Sequence, residues 1–220
     1  LLEEAYEAAE AIDNDDPVLL KEELGDVLMQ VVFHADIESD AGRFTMDDVC
    51  DGVVKKLLFR HPHVFGDGHE DSPESVLVSW EQLKRREKGQ KTVSDSMDSV
   101  ARSLPSLWRA EKLQKKAAAA GFEWPDVQGA LDKLEEEVAE LRRAVENGGD
   151  VPDELGDVLF AAVKVGRFCG CDPEDAVNGT CEKFIHRFRA VEEGAAVRGR
   201  EVSQLSLEEM TALWDEAKRS

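Results

Sequence analysis

EELGDVLMQVVFHADI at residues 22–37 and DELGDVLFAAVKVGRF at residues 153–168 decide the fold, because both contain ELGDVL, at Glu23–Leu28 and at Glu154–Leu159. One hexapeptide twice in a chain of 220 residues marks an internal duplication. The flanks extend it. Upstream, EEAYE (Glu3, Glu4, Glu7) matches EEVAE (Glu136, Glu137, Glu140). Downstream, Lys56 and Arg60 match Lys183 and Arg187, and Trp80 and Lys84 match Trp214 and Lys218. Four elements recur in the same order at similar offsets. The chain therefore reads as two tandem helical domains, 1–90 and 103–220, joined by a polar linker at 91–102. A helix from Pro105 precedes the acidic element of the second copy, so its counterpart is expected before Leu1, and the first copy is expected to lack its natural start.

Helix signals surround these strings, and strand signals are scarce. Asp16-Pro17 and Asp172-Pro173 each place a cap before a first-turn proline. Thr45 opens a near capping box and Ser206 a full one. Ser72-Pro73 is expected to open a helix through Trp80, Pro105 one that stops at Gly121, Pro125 one that stops at Gly148, and Pro152 the helix carrying the second ELGDVL. About nine helices and no sheet follow, an all-α fold.

Charge narrows the function. Asp and Glu number 48 against 27 Lys and Arg, a formal net charge of −21. That excess argues against nucleic acid and anionic membranes, which need a basic face, and no apolar run is long enough to span a bilayer. It suits a hard cation, which takes oxygen ligands. Cys50, Cys169, Cys171 and Cys181 lack zinc-site spacing and read as reduced cytoplasmic thiols.

Glu137 and Glu140 share one helical face, as do Glu4 and Glu7. Glu154 and Asp157, like Glu23 and Asp26, sit three apart on helices that read as apolar on nearly every side. Such helices are expected to be buried, where carboxylates require a partner or a metal. Gly25 and Gly156, between the acids, suggest the close approach of another helix or a ligand. Lys183 with Arg187, and Lys56 with Arg60, are basic pairs suited to phosphate. Trp214 and Trp80 can stack on a base beside Lys218 and Lys84, although tryptophan is more often core. His34 reads as a hydrogen-bonded core residue, and RHPHVF at 60–65 as a turn after a helix. Neither Glu-x-x-His nor a Walker-type loop occurs, so phosphate has to be held by metal and side chains.

These residues resemble the MazG family of nucleoside triphosphate pyrophosphohydrolases, through LLEEAYE, EELGDVLMQVVFHADIE, RHPHVFGD, SLPSLWRAEKLQKKAAAAGFEW, DKLEEEVAE and DELGDVLFAAVKVGRF. The resemblance implies tandem all-α bundles, usually a homodimer, and cleavage of nucleoside triphosphates between the α and β phosphates with Mg²⁺, or Mn²⁺ in its place. It implies metal ligands at Glu137, Glu140, Glu154 and Asp157, matched by Glu4, Glu7, Glu23 and Asp26. Lys183 and Arg187 correspond to phosphate contacts and Trp214 and Lys218 to a pair near the site, with Lys56, Arg60, Trp80 and Lys84 as first-copy equivalents. Glu136 is expected to orient the attacking water. Family members begin with a segment resembling CPWDxxQT that this sequence lacks, which favours the second copy as the active one. A silent helical module for nucleotide binding or dimerisation, and an all-α pyrophosphohydrolase of narrow substrate choice, remain alternatives.

Overall fold

The computed structural model describes residues 1–65, 83, 87 and 89–218. Trp80, Lys84 and the helix expected from Ser72 lie outside the described residues. The chain divides into two compact units, Leu1–Gly89 and Gln90–Ser220. Among the described residues every regular element is helical.

The first unit holds α1 (Leu2–Asp13), α2 (Pro17–Asp40), α3 (Met46–Arg60) and the single turn α4 (Pro62–Phe65). Asp16 starts α2 by accepting from the amides of Val18 and Leu19, both at 3.0 Å, and satisfies donors that the first turn leaves orphaned. Thr45 and Asp48 form a reciprocal capping box on α3. α1 packs along α2, and Ala8, Ala11 and Ala35 are buried.

The second unit contains α5 (Val93–Asp98), α6 (Ser106–Ala119), α7 (Val127–Asn147), α8 (Val151–Phe168), α9 (Pro173–Val197), a 3₁₀ turn at Val202–Gln204 and α10 (Leu207–Ala217). The α7–α8 hairpin repeats α1–α2. Gly148 ends α7 at φ 73°, a left-handed conformation that costs glycine nothing. α6 is tied to this hairpin by Gln114, whose side-chain amide donates to the Phe160 carbonyl at 2.8 Å. It is tied to α9 by Trp108, whose indole N–H donates to Asp172 at 2.9 Å while Asp172 also caps α9. α10 folds back on α9 over Val191, Ala195, Leu205 and Leu213. A Cβ at Gly194 would stand 2.4 Å from Leu213, so glycine sets how closely these helices approach.

Three expectations change. Residues 91–102, read as a linker, contain α5, with its own capping box from Thr92 and Asp95. Ser96 of α5 is buried and accepts from Lys116 of α6 at 2.7 Å. α2 and α8 are not buried on all sides: Leu24, Leu28, Met29 and Phe33 on α2, and Leu155, Leu159 and Phe160 on α8, are exposed. Packing within each unit covers part of each helix and leaves these apolar side chains exposed. His34 shares that exposure and meets Phe33 edge-on rather than a core partner.

Candidate functional site

Helical spacing builds the site in each unit. Glu137 and Glu140 lie three apart on α7, and α8 brings Glu154 across the hairpin. One carboxylate oxygen from each lies within 4.8 Å of the other two. Glu4, Glu7 and Glu23 converge in the same way in the first unit. Asp157 and Asp26 stand outside these triads, so the expected four-acid sets reduce to three convergent carboxylates and a neighbour. The neighbours still act electrostatically. Burial, then Glu140 and Asp157, push Glu154 above its ordinary range. Burial followed by Glu4 and other acids including Asp26 does the same to Glu7, and burial followed by Glu7 and Asp26 to Glu23. Each triad is thus negative charge held together against its own repulsion.

The two clusters differ in depth and in compensation. Glu137 is only 6% exposed, and its buried Oε2 has no hydrogen-bond partner. Its Oε1 pairs with Lys133 at 2.7 Å, and the same ammonium reaches Glu136 at 2.8 Å. Both carboxylates hold Lys133 above the usual lysine range. Arg143 pairs with Glu140 at 2.9 Å. In the first unit the place of Arg143, three residues after the second glutamate, is taken by Glu10. Lys133 was missed in the sequence. Its signal was there: a lysine four residues before Glu137 and three before Glu136 lies on the same helical face.

The basic and aromatic residues gather separately. Arg187 lies 5.8 Å from the centroid of the Trp214 ring, and Phe184 packs against the same ring at 5.0 Å. Lys183 is exposed one turn earlier. α9 packs chiefly on α10 and also touches α6 and α8, and no hydrogen bond or ion pair joins Lys183 or Arg187 to the triad among the described residues. Lys218 pairs with Asp215 at 3.0 Å. In the first unit Lys56 is exposed, and Arg60 pairs with Glu87 at 2.6 Å. Glu136, expected to orient water, is largely exposed and holds Lys133. Gly25 and Gly156 have open space where a Cβ would stand, so no described residue makes the close approach expected there.

A loop fixes the start of α7 to the C-terminal half of α8, at the far end of the hairpin from the triad. Glu123 accepts from Lys164 at 2.7 Å and pairs with Arg167, while the Lys164 ammonium lies 5.1 Å from the Trp124 ring centroid. Burial pushes Lys164 below its usual range.

Two helical hairpins, each gathering three carboxylates from paired helices, define a duplicated all-α protein of the carboxylate-cluster class. The model of the MazG nucleotide pyrophosphohydrolase domain matches residues 1–65 and 126–191. The nucleoside triphosphate pyrophosphohydrolase of Escherichia coli K12 is 42% identical over 222 residues, 99% of this chain and 84% of that protein. The nucleoside triphosphate pyrophosphohydrolase/pyrophosphatase MazG of Thermotoga maritima is 41% identical over 218 residues, 99% of this chain and 83% of that protein. A nucleoside triphosphate pyrophosphohydrolase of Mycolicibacterium smegmatis is 38% identical over 174 residues, covering 76% and 52% of the two chains. The chain belongs to the MazG family of nucleoside triphosphate pyrophosphohydrolases.

Proposed function

We propose that the protein hydrolyses nucleoside triphosphates to nucleoside monophosphate and pyrophosphate, with its active site in the second unit and a divalent cation, Mg²⁺ or Mn²⁺, as cofactor. The observation that carries this reading is the convergence of Glu137, Glu140 and Glu154 within 4.8 Å, on helices inside a matched segment of the family model. The donor set fits such an ion. All three ligands are carboxylates, one holds a buried oxygen without a partner, and a hard cation prefers this chemistry. Glu137, Glu140 and Glu154 would hold it, with Asp157 close by. When bound, the cation supplies charge compensation and Lewis acidity at phosphoryl oxygens.

The chain's own residues do the rest. Glu136 accepts a proton from a water aligned on the α phosphorus. The water oxygen bonds to that phosphorus as the bond to the bridging oxygen of the β phosphate breaks, and pyrophosphate leaves. Lys183 and Arg187 bind the β and γ phosphates and stabilise the leaving charge. Lys133, already poised between Glu136 and Glu137, moves onto a phosphate oxygen once the substrate arrives. Trp214 stacks on the nucleoside, with Lys218 beside it. A homodimer is part of the proposal, supported by the exposed Phe184, Ile185 and Phe188 along α9. So is a cytoplasmic location, supported by four cysteines carried as free thiols.

For the first unit we favour a catalytically silent cation-binding role. Glu10 stands where the second unit has Arg143, and Arg60 is engaged by Glu87. The test is pyrophosphate release from a panel of nucleoside triphosphates with Mg²⁺, using Glu154→Gln and Glu23→Gln separately. Loss only with Glu154→Gln is expected. Full activity in Glu154→Gln refutes the assignment.

A further inference from the structure

The acidic face of α7 is bracketed by positive charge. Lys133, Glu137, Glu140 and Arg143 stand at i, i+4, i+7 and i+10, one broad stripe of the helix. Lys133 Nζ reaches Glu137 Oε1 at 2.7 Å, and Arg143 Nη2 reaches Glu140 Oε1 at 2.9 Å. Two of the three convergent carboxylates therefore carry a basic partner, one from each end of the stripe. Glu154, supplied by α8, has no ion pair among the described residues. The cluster still calls for a cation. Glu137 is 6% exposed, and its Oε2 is buried without a hydrogen-bond partner. A buried acceptor left open in this way is costly and rare.

Lys133 and Arg143 are attached to the same helix as the acids they hold, about one turn away. A unit positive charge about 5 Å from a divalent ion weakens its binding by at least ~10-fold, even at the dielectric constant of water. The triad thus attracts a divalent ion while its own neighbours oppose one. We propose that Lys133, assisted by Arg143, makes cation binding in the second unit depend on a triphosphate. The two charges oppose a free divalent ion, and phosphate oxygens restore its hold by taking Lys133 as their own partner. The proposal rests on the hydrolase reading above and adds the order in which that site fills.

Lysine suits this exchange. Its ammonium is a point charge with three donors on a flexible stem, so it can trade carboxylate for phosphate acceptors without moving α7. The Lys133 side chain is 37% exposed, so a phosphate arriving from solvent can meet it. The coupling is reciprocal: a triphosphate that tightens the cation is itself tightened by the same factor. The substrate therefore enters as its cation complex, and excess free cation does not fill the site ahead of it. Glu10 takes the place of Arg143 in the first unit, so that half of the bracket is peculiar to the second.

The experiment uses Mn²⁺ as the probe, followed by its electron paramagnetic resonance signal and by calorimetry. The parent is the full chain carrying Glu23→Gln, so that the first unit does not contribute. Its Kd for Mn²⁺ is measured with and without the α,β-methylene analogue of ATP, and compared with Lys133→Gln, Lys133→Arg and Arg143→Gln in the same background. Without nucleotide, Lys133→Gln is expected to bind Mn²⁺ about tenfold tighter than the parent and Arg143→Gln about threefold tighter, with Lys133→Arg within about twofold. The analogue should tighten Mn²⁺ binding by the parent, and by about tenfold less in Lys133→Gln. A lysine that merely steadied the helix would give unchanged or weaker Mn²⁺ binding when replaced, and that result overturns the proposal. So does an analogue effect as large in Lys133→Gln as in the parent. If Lys133→Gln loses its helical circular dichroism, Arg143→Gln decides: tighter Mn²⁺ binding sustains the proposal, and unchanged or weaker binding overturns it. Absence of Mn²⁺ binding in every protein, with and without the analogue, refutes the cation reading itself. The expected binding pattern in a parent that releases no pyrophosphate from any nucleoside triphosphate sustains the coupling and refutes the hydrolase.

Discussion

Lys133 Nζ stands 2.7 Å from Glu137 Oε1 and 2.8 Å from Glu136 Oε1. One ammonium therefore joins the buried member of the carboxylate triad to the exposed acid beside it. This lysine is the counter-ion of Glu137 in its buried position. Replacing it should show that it also serves substrate. Lys133→Met is expected to lower kcat/KM for nucleoside triphosphates by about 100-fold, the scale of losing one charged contact to the reacting phosphates. Steady-state kinetics, with Tm recorded alongside, check this.

Cation binding should appear as stability. A ligand that binds only the folded state adds about 2.7 kcal/mol at one hundred times its Kd. Mg²⁺ titrated into the protein is therefore expected to raise Tm, and Glu154→Gln and Glu23→Gln should each remove part of the rise. Scanning calorimetry on the two variants separates the units. No Mg²⁺ effect in the wild type would sink the cation assignment.

Gly129 faces Trp124 so closely that a Cβ there would lie 2.4 Å from the ring's Cδ1 and 2.7 Å from its Cγ. The indole cannot yield as a flexible chain end does. Gly129→Ala should push Trp124 off Lys164 and destabilise the second unit by about 1–3 kcal/mol, despite alanine's better helix propensity. Urea unfolding measures the loss, and tryptophan fluorescence reports the displaced ring.

Acid should weaken capped helix ends first. The Ser206 amide, then Arg200, hold Glu209 below its usual range, and the amides of Thr92 and Lys91 do the same for Asp95. A carboxylate whose folded pKa is depressed contributes stability that is complete above its unfolded pKa and disappears as pH falls through the folded value. The ends of α5 and α10 should therefore fray between roughly pH 4.5 and lower values, and amide exchange at Glu209 and Asp95 should accelerate there. Glu209→Gln should remove the pH dependence at α10.

Much of this was legible in the letters. Caps and prolines placed the starts of α2, α3, α9 and α10, because capping is local chemistry between residues two or three apart. The repeat placed both carboxylate triads, because spacing on a helix fixes which side chains share a face. What escaped depends on neighbours distant in sequence. The six residues of α5 carry too little periodicity to announce a helix, and only its buried Ser96 and the lysine of α6 explain its docking. The exposure of Leu159 and Phe160 was misread because an apolar helix looks the same whether its own chain or something else covers it. Asp157 shares a face with Glu154 and raises it by its charge while standing outside the convergent triad.

The hydrogen bond from Trp108 to Asp172 spans 64 residues and sets an order of events during synthesis. The hairpin of α1 and α2 can close on contacts a few dozen residues apart. α6 leaves the ribosome long before its acceptor on α9 has been made. At translation rates of about 5–20 residues per second, its tryptophan waits for seconds, solvated, before Asp172 emerges. The second unit is thus the later to mature although its first helix is made early, and a nascent chain paused before Asp172 should carry a finished first hairpin and an unanchored α6.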